Sequence, residues 1–412
     1  MVDFEGKSEL NMDLSFIQRL IKPADTKIVL LVIDGLGGLP RKQDLLTELE
    51  AAKTPNLDIL AAKSVCGLQQ PVKPGITPGS GPGHLALFGY DPIKYQVGRG
   101  VLSALGINFK LEVKDIATRG NFCTVDNNGN IIDRRAGRMP TDRNIELCKL
   151  LRNIRLPDVN IFIETVKEYR FLLVLRGEGL SGDLIDTDPQ IIGKKPLEPR
   201  GLTSEAEKTV NLVRNFITQA KEVLKDQSPA NMLLLRGFSK KPNWPTIKDV
   251  FGLNCAAIAA YPMYRGLAKL IGMDILETGQ TVKEEFDTLT KNWNEYDFFY
   301  LHVKNSDSAG EDGDFDRKVA KIEEVDEHIP KLLDLNPDVI IITGDHSTPS
   351  LLKFHSWHPV PVLLWSKYCR ADKVKKFGER DCITGGLGPR FPAVDLMPLA
   401  LANAKRLEKF GA

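Results

Sequence analysis

The 412-residue chain predicts an α/β fold: a mostly parallel sheet with helices on both faces, interrupted by a smaller inserted α/β domain. Two observations carry this. Short β-branched runs alternate with helix-spaced patterns, as parallel strands joined by crossover helices require. The stretch 112–250 then changes character, with shorter strands, interrupting loops and clusters of basic residues.

The elements follow in chain order. Residues 14–21 have helical spacing and predict a short amphipathic helix. Residues 27–33, 298–303 and 339–343 are almost continuously apolar, as strands buried on both faces are. Helices are expected over 204–224, 256–271 and 316–333, and further strands over 121–125, 171–175 and 232–235. Loops such as Asp186-Thr-Asp-Pro189 break up the middle. The expected organisation is an N-terminal extension (1–26), a first domain in two pieces (27–111 and 251–412) and an insertion (112–250).

Composition removes several functions. Lys and Arg number 55 against 54 Asp and Glu, a net charge of +1, which argues against a nucleic-acid binder. No apolar run reaches the ~18 residues of a membrane helix; the run 28–33 ends in Asp34. The N-terminus carries acids and no small-residue cleavage site, so it does not read as a secretory signal. Six cysteines at irregular spacing, with no C-x-x-C pair, predict reduced thiols and a cytoplasmic protein.

Each of the three clearest strands runs into an acid: Asp34-Gly-Leu-Gly-Gly38, Lys304-Asn-Ser-Asp307-Ser-Ala-Gly-Glu311, and Gly344-Asp345-His346. Ligands of open α/β sheets bind outside the carboxyl ends of the strands, so these tips meet at one site if the strands are neighbours. One such Asp is ordinarily a cap or turn residue. Three of them, one in an Asp-His pair, repel one another unless a proton or cation intervenes. Carboxylates mixed with imidazole suit zinc, manganese and similar ions, and His355-Ser-Trp-His358 offers further imidazole. The glycines after Asp34 lack the G-x-G-x-x-G spacing of a dinucleotide turn. Between these tips in sequence lies Thr77-Pro-Gly-Ser80-Gly-Pro-Gly-His84, whose small residues let Ser80 approach a metal and a phosphate closely. Metal coordination makes a serine alkoxide accessible. No strand precedes this loop, which disfavours a serine-hydrolase elbow.

Asp34-Gly, Thr54-Pro-Asn-Leu-Asp58, Ser80-x-x-Gly-His84, Phe88-Gly-Tyr-Asp-Pro92, Asp133-Arg-Arg-Ala-Gly-Arg138, Thr343-Gly-Asp-His-Ser-Thr-Pro349 and His355-x-x-x-Pro-Val-Pro361 together resemble the archaeal-type cofactor-independent phosphoglycerate mutases, members of the alkaline phosphatase superfamily. The resemblance runs from about Lys27 to the end of the chain. It implies an alkaline-phosphatase-like domain with two divalent ions (manganese, magnesium, zinc or cobalt), no 2,3-bisphosphoglycerate, and an insertion that clamps a small phosphorylated carboxylate. It implies one ion on Asp34, Ser80, Asp345 and His346, and another on Asp307, His355 and residue 311. Here Glu311 stands where the family has histidine, which favours manganese or magnesium over zinc; Asp312 and His358 are alternative donors. Ser80 is implied as nucleophile, and His84 or the insertion as the source of the proton that the leaving glycerate takes. Arg265 stands where relatives place a lysine next to the transferred phosphate. Arg135, Arg138 and Arg236 are implied on the substrate, with Asp186 and Asp188 near the glycerate hydroxyls. The expected reaction is the interconversion of 3- and 2-phosphoglycerate in glycolysis and gluconeogenesis through phosphoserine, with domain closure excluding water. Oligomerisation is compatible with this reading. The alternative is a metal-dependent phosphomonoesterase, phosphonate hydrolase or other phosphotransferase of the superfamily. A sulfatase is disfavoured because C-x-P-x-R is absent.

Overall fold

The computed structural model describes residues 14–411; the first thirteen residues of the expected N-terminal extension lie outside them. In chain order the strands are β1 (Ile28–Ile33), β2 (Val65–Gln70), β3 (Asp115–Val125), β4 (Ile131–Asp133), β5 (Asn160–Lys167), β6 (Arg170–Arg176), β7 (Met232–Ser239), β8 (Cys255–Ala259), β9 (Asp274–Leu276), β10 (Phe298–Val303), β11 (Val339–Thr343), β12 (Val360–Ser366) and β13 (Gly388–Pro392).

The chain forms two compact units. The larger holds residues up to 96, 245–260 and 271 onward; the smaller holds 97–244 and 261–270. The insertion therefore begins nearer 97 than 112 and ends nearer 244 than 250. A second, ten-residue passage through the smaller unit has no compositional signature.

The larger unit is built on an eight-stranded sheet in the order β13-β2-β12-β11-β1-β10-β8-β9. β1 pairs in parallel with both β10 and β11, and only the β11–β12 and β12–β2 pairs are antiparallel. All six residues of β1 and of β10 are buried, as their continuous hydrophobicity requires. The helix expected over 256–271 is not continuous. Ala256 to Ala259 lie in the buried strand β8, and the helix is Pro262–Leu270. Alanine favours helix, but pairing with β10 and β9 overrides that preference. The helix expected over 316–333 is two, Phe315–Asp326 and Ile329–Asp334. Pro330 lies in the first turn of the second, where a missing N–H costs nothing.

The smaller unit holds an antiparallel sheet, β4-β3-β6-β5, with β7 paired to β3. Its core joins Phe122, Phe171, Leu173, Phe216 and Leu235. The 18-residue helix Glu207–Leu224 covers that core with Val210, Val213, Phe216 and Ala220. Among the described residues no helix is long and apolar enough to cross a membrane. All six cysteines are free thiols.

Candidate functional site

In the larger unit β11, β1 and β10 lie side by side, so the condition for convergence of their acidic tips is met. The turns are stitched together. Gly35 N donates to Asp345 Oδ1 at 3.1 Å, and Thr348 N donates to Gly37 O at 3.0 Å. Gly35 has φ +69°, and a Cβ there would stand 2.7 Å from Thr348 Oγ1 and 2.9 Å from the Asp307 backbone. Only glycine allows this approach.

Two overlapping triads result: Asp34, Asp345 and His346, and Asp307, His346 and His355, with ligand atoms within 4.8 Å of one another in each. His346 Nε2 is 3.1 Å from Asp345 Oδ2 and 3.5 Å from Asp34 Oδ1; His355 Nε2 is 3.6 Å from Asp307 Oδ1. Ser80 is the first residue of the helix Ser80–Leu87, and its Oγ lies 3.3 Å from His346 Nε2. The helix can come this close because Gly83 faces Asp345 O, where a Cβ would stand at 2.2 Å.

The supporting contacts set which imidazole nitrogens face a cation. Thr348 Oγ1 donates to Asp307 Oδ1 at 2.7 Å and lies 3.0 Å from His346 Nδ1. A hydroxyl has one proton, so it accepts from His346 Nδ1–H and leaves Nε2 for a ligand. His355 Nδ1 donates to Pro78 O at 3.0 Å, with the same effect. His302, within β10, reaches Asp34 Oδ2 at 3.1 Å. His84 has no exposed surface; its Nδ1 lies 2.8 Å from Ser80 O and 3.2 Å from Asp345 Oδ2. Glu311 lies at the edge, outside both triads, its Oε1 4.0 Å from His355 Nε2. Asp312 turns to Arg317 and His358 to Ser356, so neither joins.

The donor set fits divalent cations. Asp34, Asp307 and Asp345 are at most 1% exposed, and Asp34 Oδ1 is buried without a hydrogen bond. Lys304, missed in the sequence, lies 3.2 Å from Asp34 Oδ2 and also pairs with Asp307 Oδ2. It follows β10 directly, and that position was the available signal. Burial and the neighbouring Asp345 push Asp34 up, but Lys304 and His302 hold it at about 2. Burial pulls His346 down, yet Asp345, Asp307 and Asp34 raise it to about 9. Burial lowers His355.

This has a measurable consequence. Near neutral pH the carboxylates are already ionised and His346 holds a proton that a metal must displace. Mn2+ binding is expected to release one proton, and apparent affinity to climb about tenfold per pH unit up to about pH 9. Calorimetry in buffers of different ionisation heat measures both; an affinity flat between about pH 6.5 and 8.5 contradicts it.

The smaller unit gathers cations. Arg119 stands within β3, opposite Arg236 of β7, and is 7% exposed. Arg99, at the start of the helix Arg99–Gly106, and Arg170, at the start of β6, bear on the same charge. Burial, then Arg99, Arg170 and Arg236, push Arg119 far down; burial and Arg236 lower Arg99 to about 10. Arginine does not shed its proton in proteins, so four guanidinium charges stand close together in this cluster. Arg119 Nε has no hydrogen-bond partner. Arg99 and Arg119 were missed, although an arginine inside a buried strand is itself a signal.

The other expected substrate residues are placed differently. Asp188 receives a two-pronged contact from Arg134, at 3.0 and 2.7 Å, and lies 3.5 Å from Arg236. Asp186 accepts from Gly237 N at 2.7 Å and from Arg236 Nε at 3.4 Å. Both acids thus orient arginines. Arg135 and Arg138 lie in the turn after β4, which Asp133 caps through Arg135 N and Gly137 N. Arg265 belongs to the smaller unit, partly buried on the helix Pro262–Leu270.

Comparison with known proteins adds the following. A family model described as 2,3-bisphosphoglycerate-independent phosphoglycerate mutase matches residues 61–231. A Thermosipho africanus protein described as "Probable 2,3-bisphosphoglycerate-independent phosphoglycerate mutase" is 54% identical over 398 residues, 96% of this chain and 98% of its own. A similarly described Aquifex aeolicus protein is 53% identical over 409 residues, 97% of this chain and 100% of its own. Among solved structures, PH0037 from Pyrococcus horikoshii matches with TM-score 0.81 and 31% identity, covering 94% of this chain and 99% of that one. A cofactor-independent phosphoglycerate mutase from Thermoplasma acidophilum matches with TM-score 0.65 and 27% identity, covering 92% and 100%.

Proposed function

The chain belongs to the 2,3-bisphosphoglycerate-independent phosphoglycerate mutases, and on that premise we propose that it interconverts 3- and 2-phosphoglycerate through a phosphoserine at Ser80, with two divalent ions. The observation that carries the mechanism is the position of Ser80 Oγ, 3.3 Å from Nε2 of His346, the residue common to both triads. Asp34, Asp345, His346 and Ser80 would hold one ion, and Asp307 and His355 the other, with Glu311 within reach of a further bond. When bound, such ions lower the pKa of a coordinated hydroxyl and offset charge on phosphoryl oxygens.

The residues of this chain then act in order. Ser80 Oγ attacks phosphorus as the bond to the 3-oxygen of glycerate breaks. The proton leaving Ser80 balances the one taken up by the glycerate oxygen. The phosphoryl group sits at the positive end of the helix that Ser80 begins. His84, fully buried, orients this helix against Asp345 rather than meeting the substrate. The retained glycerate turns and takes the phosphoryl group back on its 2-oxygen, restoring Ser80. Within the smaller unit, the Arg99, Arg119, Arg170 and Arg236 cluster has the chemistry to bind a carboxylate, and Arg265 has the chemistry to bind a phosphoryl group. On this reading the reaction is a step of glycolysis and gluconeogenesis, carried out in the cytoplasm.

An assay that follows 2-phosphoglycerate and free phosphate together tests the activity. The mutase reading expects 2-phosphoglycerate as the main product from 3-phosphoglycerate; free phosphate as the main product would make the protein a phosphomonoesterase.

The arginine assignment has its own test. Arg119→Met is expected to raise KM for 3-phosphoglycerate about tenfold to a hundredfold, as loss of a charged hydrogen bond does. Its thermal midpoint should rise, because a buried cation repelled by three others is removed. An unchanged KM with a lowered midpoint contradicts the assignment.

A further inference from the structure

The helix Phe315–Asp326 buries Lys318, Ile322, Val325 and Asp326 on one face, so a lysine stands in a row that apolar residues ordinarily fill. Its side chain has no exposed surface. Lysine is almost never fully buried unless paired, and the partners here are specific. Nζ donates to Gly37 O at 3.0 Å and to Thr348 O at 2.9 Å. Glu48 Oε1, equally buried, is 3.8 Å away, beyond hydrogen-bond length. An ion pair serving the core alone would close on its counter-charge. This ammonium instead directs its hydrogen bonds to two backbone carbonyls.

Those carbonyls belong to the two turns that carry the metal donors. Gly37 follows Asp34 by three residues, and Thr348 follows His346 by two. The acids nearby end on the same turns. Glu48 accepts from Ser350 N at 2.7 Å and from Ser350 Oγ at 2.5 Å. Glu379 accepts from Gly38 N at 2.8 Å and from Thr47 Oγ1 at 2.6 Å. Thr348 is also the residue whose hydroxyl holds Asp307 and His346. Holding its carbonyl fixes where that hydroxyl stands.

We infer that Lys318 is a positioning residue for the metal centre: it locks the turn bearing Asp34 to the turn bearing Asp345 and His346 at the separation the Asp34, Asp345 and His346 triad needs. The inference rests on the metal centre proposed above and extends it to a residue that touches neither metal nor substrate. Glu48 supplies charge balance, and the two carbonyl contacts supply the geometry.

The test compares Lys318→Met in a Glu48→Gln background with Glu48→Gln alone. The double variant removes both buried charges, so none is stranded. Direct Mn2+ titration is the main readout, beside the thermal midpoint of the metal-free protein and KM for 3-phosphoglycerate. The double variant is expected to bind Mn2+ about tenfold or more weakly than wild type, as loss of a supporting partner to metal ligands does. Glu48→Gln alone should stay within about threefold of wild type, and KM should change less than about twofold in both. Wild-type Mn2+ affinity in the double variant overturns the inference, whatever the midpoint does. So does a Glu48→Gln protein as weak as the double variant, because the ion pair would then be the active element. A double variant that does not fold, with both charges gone, also overturns it by assigning Lys318 to the core. If wild type itself binds no Mn2+, the metal reading fails; if wild type binds and the double variant binds equally, only the role of Lys318 does.

Discussion

Replacing Ser80 by alanine is expected to lower kcat for 3-phosphoglycerate by at least about a thousandfold, the scale on which loss of a nucleophile acts. The fold should not suffer. Ser80 is the first residue of its helix, Gly79 is the cap, and alanine is favoured inside a helix. Both triads keep their carboxylates and imidazoles, so Mn2+ affinity should fall by no more than a few-fold. Steady-state kinetics beside a metal titration separate these effects. A Ser80→Ala protein that retains most of its kcat removes the covalent mechanism. One that loses Mn2+ altogether would make Ser80 chiefly a ligand.

Removing the metal should be as severe. Three buried carboxylates meet, answered by His346, His302, His84, His355, Lys304, Thr348 and the Gly35 N–H, and Asp34 Oδ1 accepts no hydrogen bond at all. A protein stripped by exhaustive chelation is expected to show no turnover above background and to regain it when Mn2+ is added. Metal that binds the folded chain and not the unfolded one also stabilises it, by about 2.7 kcal/mol per site at a hundredfold excess over Kd. The thermal midpoint should therefore rise with Mn2+ in step with activity. Full turnover after complete chelation contradicts the assignment. Recovered activity without a change in midpoint would mean that the ions bind outside these triads.

Much of this was legible in the residues, and the exceptions have physical reasons. The three strand tips could be read because parallel strands buried on both faces are continuously apolar and end abruptly at Asp34, Lys304 and Gly344. That they are neighbours is a matter of sheet order, which local pattern does not encode. β8 was hidden by its alanines, whose helix preference gave way to pairing on both sides. The return of 261–270 to the smaller unit was hidden for a related reason: its residues pack against the helix Arg99–Gly106, a contact distant in sequence. Arg134 could not be told from Arg135 by composition, because the backbone turn decides which guanidinium meets Asp188. Lys318 was hidden by being an ordinary residue type in an ordinary helix. Only its burial reveals it.

The central claim is that Ser80 carries the phosphoryl group during turnover. Mixing metal-loaded enzyme with 3-phosphoglycerate, quenching with acid within a turnover and analysing the peptide spanning Thr77 to His84 by mass spectrometry tests it most directly. The account predicts phosphate on Ser80 that forms with substrate, is absent without metal, and disappears as 2-phosphoglycerate reaches equilibrium. Rapid production of 2-phosphoglycerate with no phosphate on that peptide at any quench time would contradict it.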